Sequence, residues 1–255
     1  MNDSTLDIDC TINKFEYVVN GEQLILKYNP ILVNGIFYLP IDFLSDLMNY
    51  DVKWDVSSKT LILSLTKSVE DVVKYKDRVV LIQNFDENGK LIEAGSGIIV
   101  SKDGLILTNQ HVLTNAKNVT VTLDNQTTAS VTKIIADDET NDLALIKIDK
   151  DNLPYMKLQK SLNYQLGEQV VVIGSPFVLL NTVSTGIISA VDRELEKHHF
   201  IQISVPIEHG NSGGAVLNMQ GELIGVVSMG FDSSGQINFA IPSYVVSKFL
   251  GDLNY

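Results

Sequence analysis

Cysteine is almost missing from this chain. Its 255 residues contain one, Cys10, so no internal disulfide framework is available and the core must come from apolar packing. Long apolar runs are missing as well: no stretch reaches about 18 residues, which excludes a helical membrane span. Basic residues are few. Lys and Arg number 19 against 31 Asp and Glu, a formal net charge of −12, with no basic run and no interleaving of basic and aromatic residues; the electrostatic footprint of a nucleic-acid binder is absent. No histidine precedes His111. His198, His199 and His209 sit in a short polar stretch without ligand partners at metal-binding spacing, so neither a metal nor an organic cofactor is expected. The opening MNDSTLDIDC is polar and acidic and lacks the basic start and apolar stretch of a signal peptide. Cys10, after Asp7-Ile8-Asp9, is unlike a lipidation box.

What remains is enough for a sizeable core. At 45% hydrophobic residues the chain has room for one large or two modest domains. The first third reads as a unit of its own. FEYVVNGEQLILK and PILVNGIFYLPI are strand pairs turned by Asn20-Gly21 and Asn34-Gly35, a strong hairpin signal because both central positions favour positive φ. Ile41 to Tyr50 then predicts a helix: Phe43, Leu44, Leu47 and Met48 form one apolar face, Pro40 lies near the start, and Asn49 suits a left-handed cap. VKWDVSSKTLILSL returns as two short strands through a polar turn.

The remaining two thirds carry the chemistry. GNSGGAVLN, Gly210 to Asn218, sets Ser212 between glycines, where the main chain turns tightly and aims NH groups at one point. Upstream, SGIIVSKDGLILTNQHVL reads as two apolar strands joined at Asp103-Gly104 and followed by His111 at a strand end. NDLALIKID places Asp142 immediately before an apolar strand; Asp137 and Asp138 compete with it, but only Asp142 directly precedes LALIKI. The chain order His111, Asp142, Ser212 is one of the known orders for a nucleophile, base and orienting acid.

Together with LGEQVVVIGSPF, STGIISAVDR, GELIGVVS and INFAIPS, these segments resemble the HtrA/Deg family of trypsin-like serine endopeptidases from about Val69 to the C-terminus. The chain departs from the family pattern in places: His209 stands before GNSGG, Ile203-Ser204 follow Gln202, and Val178 replaces the last glycine of a GNPFG-like turn. None of these removes a triad or oxyanion position. The resemblance implies catalysis by His111, Asp142 and Ser212, an oxyanion hole from the Gly210 and Ser212 NH groups, and a primary pocket walled by Ile207 and Val227. No acidic residue occupies the usual pocket-base region, where Pro206 stands, so cleavage after small or medium aliphatic residues is expected.

The front unit, through VNGIFYLP and VKWD, resembles the N-terminal domain of copper amine oxidases, with Asn49-Tyr50 where that family has a glycine after the helix. Without a histidine it implies a stalk rather than a copper site. The expected fold is mainly β: a two-β-barrel chymotrypsin-like protease domain over 77–255, a linker over 67–76, and a small α+β (ββαββ-like) domain over 1–66. Polypeptides are the expected substrates, with no nucleic acid and no membrane span. An envelope or protein partner of the front domain and homo-oligomerisation stay open. Both resemblances favour the cell envelope or secretion, with an intracellular chain the alternative if no export signal has been removed; a C-terminal PDZ domain is not expected. Two rivals remain, a protease-shaped binding protein without turnover and a hydrolase acting on esters or on one narrow regulatory substrate.

Overall fold

The computed structural model describes residues 8–10, 16–19, 22–25, 30–38, 40, 50–55, 60–65, 68–158, 164–195, 198–230 and 237–253. The chain divides into two compact units, Met1–Thr66 and Lys67–Tyr255.

In the first unit the described elements are strands. β1 (Ile8–Cys10), β2 (Glu16–Val19) and β3 (Glu22–Ile25) form one antiparallel sheet; β4 (Ile31–Val33) pairs with β5 (Ile36–Tyr38), and β6 (Tyr50–Asp55) with β7 (Thr60–Leu65). Asn34 and Gly35 join β4 to β5 with φ of 52° and 77°, the two positive values a tight primed turn demands. The Asn20-Gly21 turn and most of the expected helix, 41–49, lie outside the described residues; Tyr50, expected at that helix's end, is already in β6. Cys10 is part of a strand, paired with Tyr17.

The second unit begins with a helix where the sequence suggested a linker. Ser68 caps α1 (Val69–Val73) through a reciprocal capping box with Asp71, satisfying otherwise orphaned amides, and Val72 is fully buried. A 3₁₀ turn, 74–78, follows. Then come two closed six-stranded barrels. The first holds β8 (Val79–Phe85), β9 (Leu91–Ile99), β10 (Leu105–Thr108), β11 (Asn118–Thr122), β12 (Thr128–Asp138) and β13 (Leu143–Ile148). The second holds β14 (Gln169–Gly174), β15 (Thr182–Leu195), β16 (His198–Ile203), β17 (Ala215–Leu217), β18 (Leu223–Gly230) and β19 (Asn238–Pro242), and α2 (Ser243–Asp252) ends the described chain.

Strands such as LILT and LALIKI are apolar on both faces because both faces are covered. Ile106 and Ile146 point into the first barrel with Ile82 and Val121. Their neighbours Leu105, Leu107 and Leu145 join a second cluster with Val171, Ile173 and Leu217 of the other barrel and Val246 and Phe249 of α2. Val170 and Val172, on the opposite face of β14, fill the second barrel with Ile203 and Val227. Each such side chain contributes about 1.5–3 kcal/mol on burial. The two barrels therefore share one apolar seam, and the loops at its end are held at fixed separation.

Candidate active site

His111 opens a 3₁₀ turn (His111–Leu113) three residues beyond the end of β10, rather than ending the strand itself. Buried Asn84 fixes that turn by donating its amide to the carbonyls of Val112 (3.1 Å) and Thr114 (3.0 Å). Asp142 stands just before β13 with φ of 52°, a left-handed conformation that Asp and Asn tolerate best among residues with a Cβ. Asn109 holds its carbonyl at 2.8 Å.

The Asp142 carboxylate collects three donors. His111 gives its backbone N–H to Oδ1 at 3.0 Å and its Nδ1 to both oxygens at 2.9 Å. The hydroxyl of Ser228 donates to Oδ2 at 3.3 Å. A carboxylate only accepts, so Nδ1 carries the proton and Nε2 is left as an acceptor. Of the competing acids, Asp138 accepts from the backbone and side chain of Asn141, and Asp137 pairs along the ladder with Ala144.

Ser212 reaches the same cluster from the second barrel. Its Oγ donates to the Ser228 carbonyl at 3.1 Å, so one residue, Ser228, touches both the carboxylate and the serine hydroxyl. Among the described residues no hydrogen bond joins Ser212 Oγ to the imidazole. Proximity is nonetheless enforced at Gly95. A Cβ there would lie 2.6 Å from the Val112 side chain, next to His111, and 3.1 Å from the Ser212 carbonyl. Gly210 has φ of +101°, and a Cβ on it would come within 2.4 Å of the Ser175 carbonyl; only glycine fits. Among the described residues the N–H groups of Gly210 and Ser212 find no protein acceptor, whereas those of Asn211, Gly213 and Gly214 do.

A model of the trypsin-like peptidase domain matches residues 95–226, just over half of the chain. The chain belongs to the trypsin-like peptidase domain family. A probable periplasmic serine endoprotease, DegP-like, of Hahella chejuensis is 44% identical to this trypsin-like domain over 165 residues, 62% of the chain and 35% of the relative. Serine protease HTRA1B of Danio rerio is 43% identical over 197 residues, 72% of the chain and 41% of the relative. The solved structure of a serine endoprotease from Yersinia pestis superimposes with a TM-score of 0.66 at 34% identity, covering 74% of this chain and 68% of that one. The chain spans about a third to two fifths of the length of these curated relatives. Residues 1–63 match a model of the copper amine oxidase N-terminal domain. That stretch has no histidine, so it offers a copper ion no imidazole.

Within the trypsin-like domain, Ser228 escaped the sequence reading. Nothing in GELIGVVS marks its last residue as more than the end of an apolar strand; its role exists only once β18 lies beside Asp142. The other histidines make no hydrogen bond to the cluster among the described residues, although His198 and His199 line a cavity with Asp142 and Ser228. His199 pairs through Nδ1 with Asp192 at 2.7 Å, and His209 enters only by its carbonyl, which accepts from Phe177 N–H at 2.8 Å. Ile207 packs on the cluster that contains fully buried Val227, and its N–H donates to the Asn238 side chain at 3.1 Å.

The electrostatics of the trypsin-like site make the His111 imidazole a stronger base than a free one. Burial pulls the His111 pKa down, but the hydrogen bond to Asp142, that carboxylate's charge and the charge of Glu93 outweigh it, and the pKa stands above the ordinary histidine value.

Proposed function

We propose that this chain is a serine endopeptidase acting through Ser212, His111 and Asp142. The observation that carries the reading is the carboxylate of Asp142 gripping His111 at both its backbone N–H and Nδ1, which fixes the tautomer a general base needs. Ser212 Oγ turns about its Cα–Cβ bond from the Ser228 carbonyl towards Nε2 and attacks the peptide carbonyl, while His111 takes its proton. The imidazolium then protonates the leaving amine, the C–N bond breaks, and an acyl-Ser212 ester remains. Water, deprotonated by the same imidazole, hydrolyses the ester and restores the serine. The free N–H groups of Gly210 and Ser212 receive the oxyanion in both halves, each donor lowering the barrier by about 3 kcal/mol.

Ile207, backed by the core cluster that holds fully buried Val227, would wall an apolar primary pocket, favouring substrates with a small or medium aliphatic residue before the cut. Mass-spectrometric mapping of cleavage sites in casein should give Val, Ala, Ile or Leu at that position. A clear preference for Arg or Lys there would remove the pocket assignment.

The raised His111 pKa sets the acid side of the pH profile. Base catalysis requires the neutral ring, so kcat/KM should climb with pH along a limb whose midpoint lies above the ordinary value of about 6.5. Glu93→Gln removes one of the charges that raise the pKa and should move that limb to lower pH without changing the plateau. A limb that stays in place, or moves up, would contradict the electrostatic account. Stability runs the opposite way: a histidine whose folded pKa is raised contributes most below its unfolded pKa, and the contribution is lost as pH rises through the folded value.

A further inference from the structure

Four successive peptide groups around the nucleophile are each held by a bond from outside or across the loop. The His209 carbonyl accepts from Phe177 N–H at 2.8 Å, and the Asn211 carbonyl from Gly214 N–H at 2.8 Å. In a trans peptide the N–H points away from the carbonyl, so these two bonds aim the Gly210 and Ser212 N–H groups away from Phe177 and Gly214, into the site. The two peptide groups flanking the latter are held by one residue of the other barrel. Ser96 Oγ donates to the Gly210 carbonyl at 2.7 Å, and Ser96 N–H donates to the Ser212 carbonyl at 2.7 Å.

Ser96 is fully buried in β9, between Gly95 and Gly97, and every polar group it owns is committed. Its hydroxyl oxygen also accepts from Ser175 N–H at 2.8 Å, and its carbonyl accepts from Thr108 Oγ1 at 2.7 Å. The Ser175 amide can only donate, so the single hydroxyl proton has one place to go, the Gly210 carbonyl. Its orientation is therefore fixed. Contact is tight enough that a Cβ on Gly213 would sit 2.1 Å from the Ser96 carbonyl.

We infer that Ser96 is a positioning residue of the oxyanion site: it locks the Gly210–Asn211 and Ser212–Gly213 peptide groups from the first barrel and thereby sets the direction of the two N–H donors. It touches neither substrate nor reacting atoms and acts through Gly210 and Ser212. Removing the hydroxyl leaves the Gly210–Asn211 group held only by the bond from Asn211 N–H to the Glu208 carbonyl at 3.0 Å, and lets it tilt about that bond. Donors displaced by a fraction of an ångström lose most of their preference for the transition state. The inference rests on the peptidase reading proposed above.

The test is Ser96→Ala in the full chain, with active sites counted by burst titration. The expected result is a fall in kcat per active site of about 10- to 100-fold with KM within about twofold. Affinity for a peptide aldehyde, whose hemiacetal places an oxygen anion in the same site, should fall in step. A residue that merely supports the fold would lower the fraction of titratable sites and leave both values per site unchanged, and that result would overturn the inference. If Ser96→Ala does not fold, Ser96→Cys carries the test, because it keeps a weak donor and acceptor in nearly the same volume. A several-fold loss of kcat per site is expected there, and an unchanged kcat would count against the assignment. A wild-type chain that neither cuts peptides nor binds the aldehyde overturns the peptidase reading, and the inference with it; an active wild type matched by an equally active Ser96→Ala overturns the inference alone.

Discussion

Ser212→Ala should lose about 10⁶-fold in kcat on a peptide substrate, the scale on which serine hydrolases respond to loss of nucleophile or base. The residual rate would come from the Gly210 and Ser212 N–H donors, which the substitution leaves in place. The loss will not be one of folding. Ser212 Oγ makes a single bond, to the Ser228 carbonyl, and giving up one such bond costs about 1 kcal/mol. The backbone bonds of this residue are untouched: its carbonyl still accepts from Ser96 N–H. Circular-dichroism melting should therefore place the variant within a few degrees of the wild type. A variant that keeps more than about a hundredth of the activity would show that another group attacks the substrate.

Asp142→Asn should cost about 10⁴-fold in kcat, by the same logic that governs the serine-protease triad elsewhere. The carboxylate accepts three donors, two of them from His111. An amide of the same shape has one oxygen to accept and one NH₂ that can only donate. If its oxygen keeps the His111 backbone N–H, the NH₂ faces Nδ1, and the ring must carry its proton on Nε2 instead. The base then presents a donor to Ser212. The charge that raises the imidazole pKa disappears at the same time, so whatever activity survives should show its acid limb at lower pH. A loss below tenfold would mean that Asp142 only tethers the histidine turn, a role the Asn84 bonds already serve.

Much of this was legible in the chain because each motif solves a local problem. Asn34-Gly35 reads as a hairpin since both residues must take positive φ, and they do. Asp142 could be preferred over Asp137 and Asp138 because it alone abuts LALIKI, and the His111 bonds fall on it. The two barrels were legible only through the resemblance that the HtrA/Deg-like strings carry. What stayed hidden is what only tertiary structure creates. Ser228 and Ser96 are serines in apolar strands, with no spacing or charge to mark them; one gains meaning beside Asp142, the other beside Gly210. The helix over 69–73 was hidden for a different reason. It is five residues long, too short for a periodicity to declare itself, and it is set by the Ser68–Asp71 capping box. The resting direction of the Ser212 hydroxyl is a rotamer choice that no sequence encodes.

That rotamer makes one experiment decisive. A protease-shaped binding protein and a working peptidase differ in whether His111 can activate Ser212 despite its bond to Ser228. Treatment of the wild-type chain with a fluorophosphonate, followed by intact-mass and peptide mass spectrometry, reads this directly. A single adduct on Ser212, formed faster as pH rises through the His111 limb and absent from His111→Ala, is the predicted result. No adduct at any pH, or labelling of Ser212 that His111→Ala leaves undiminished, would contradict it.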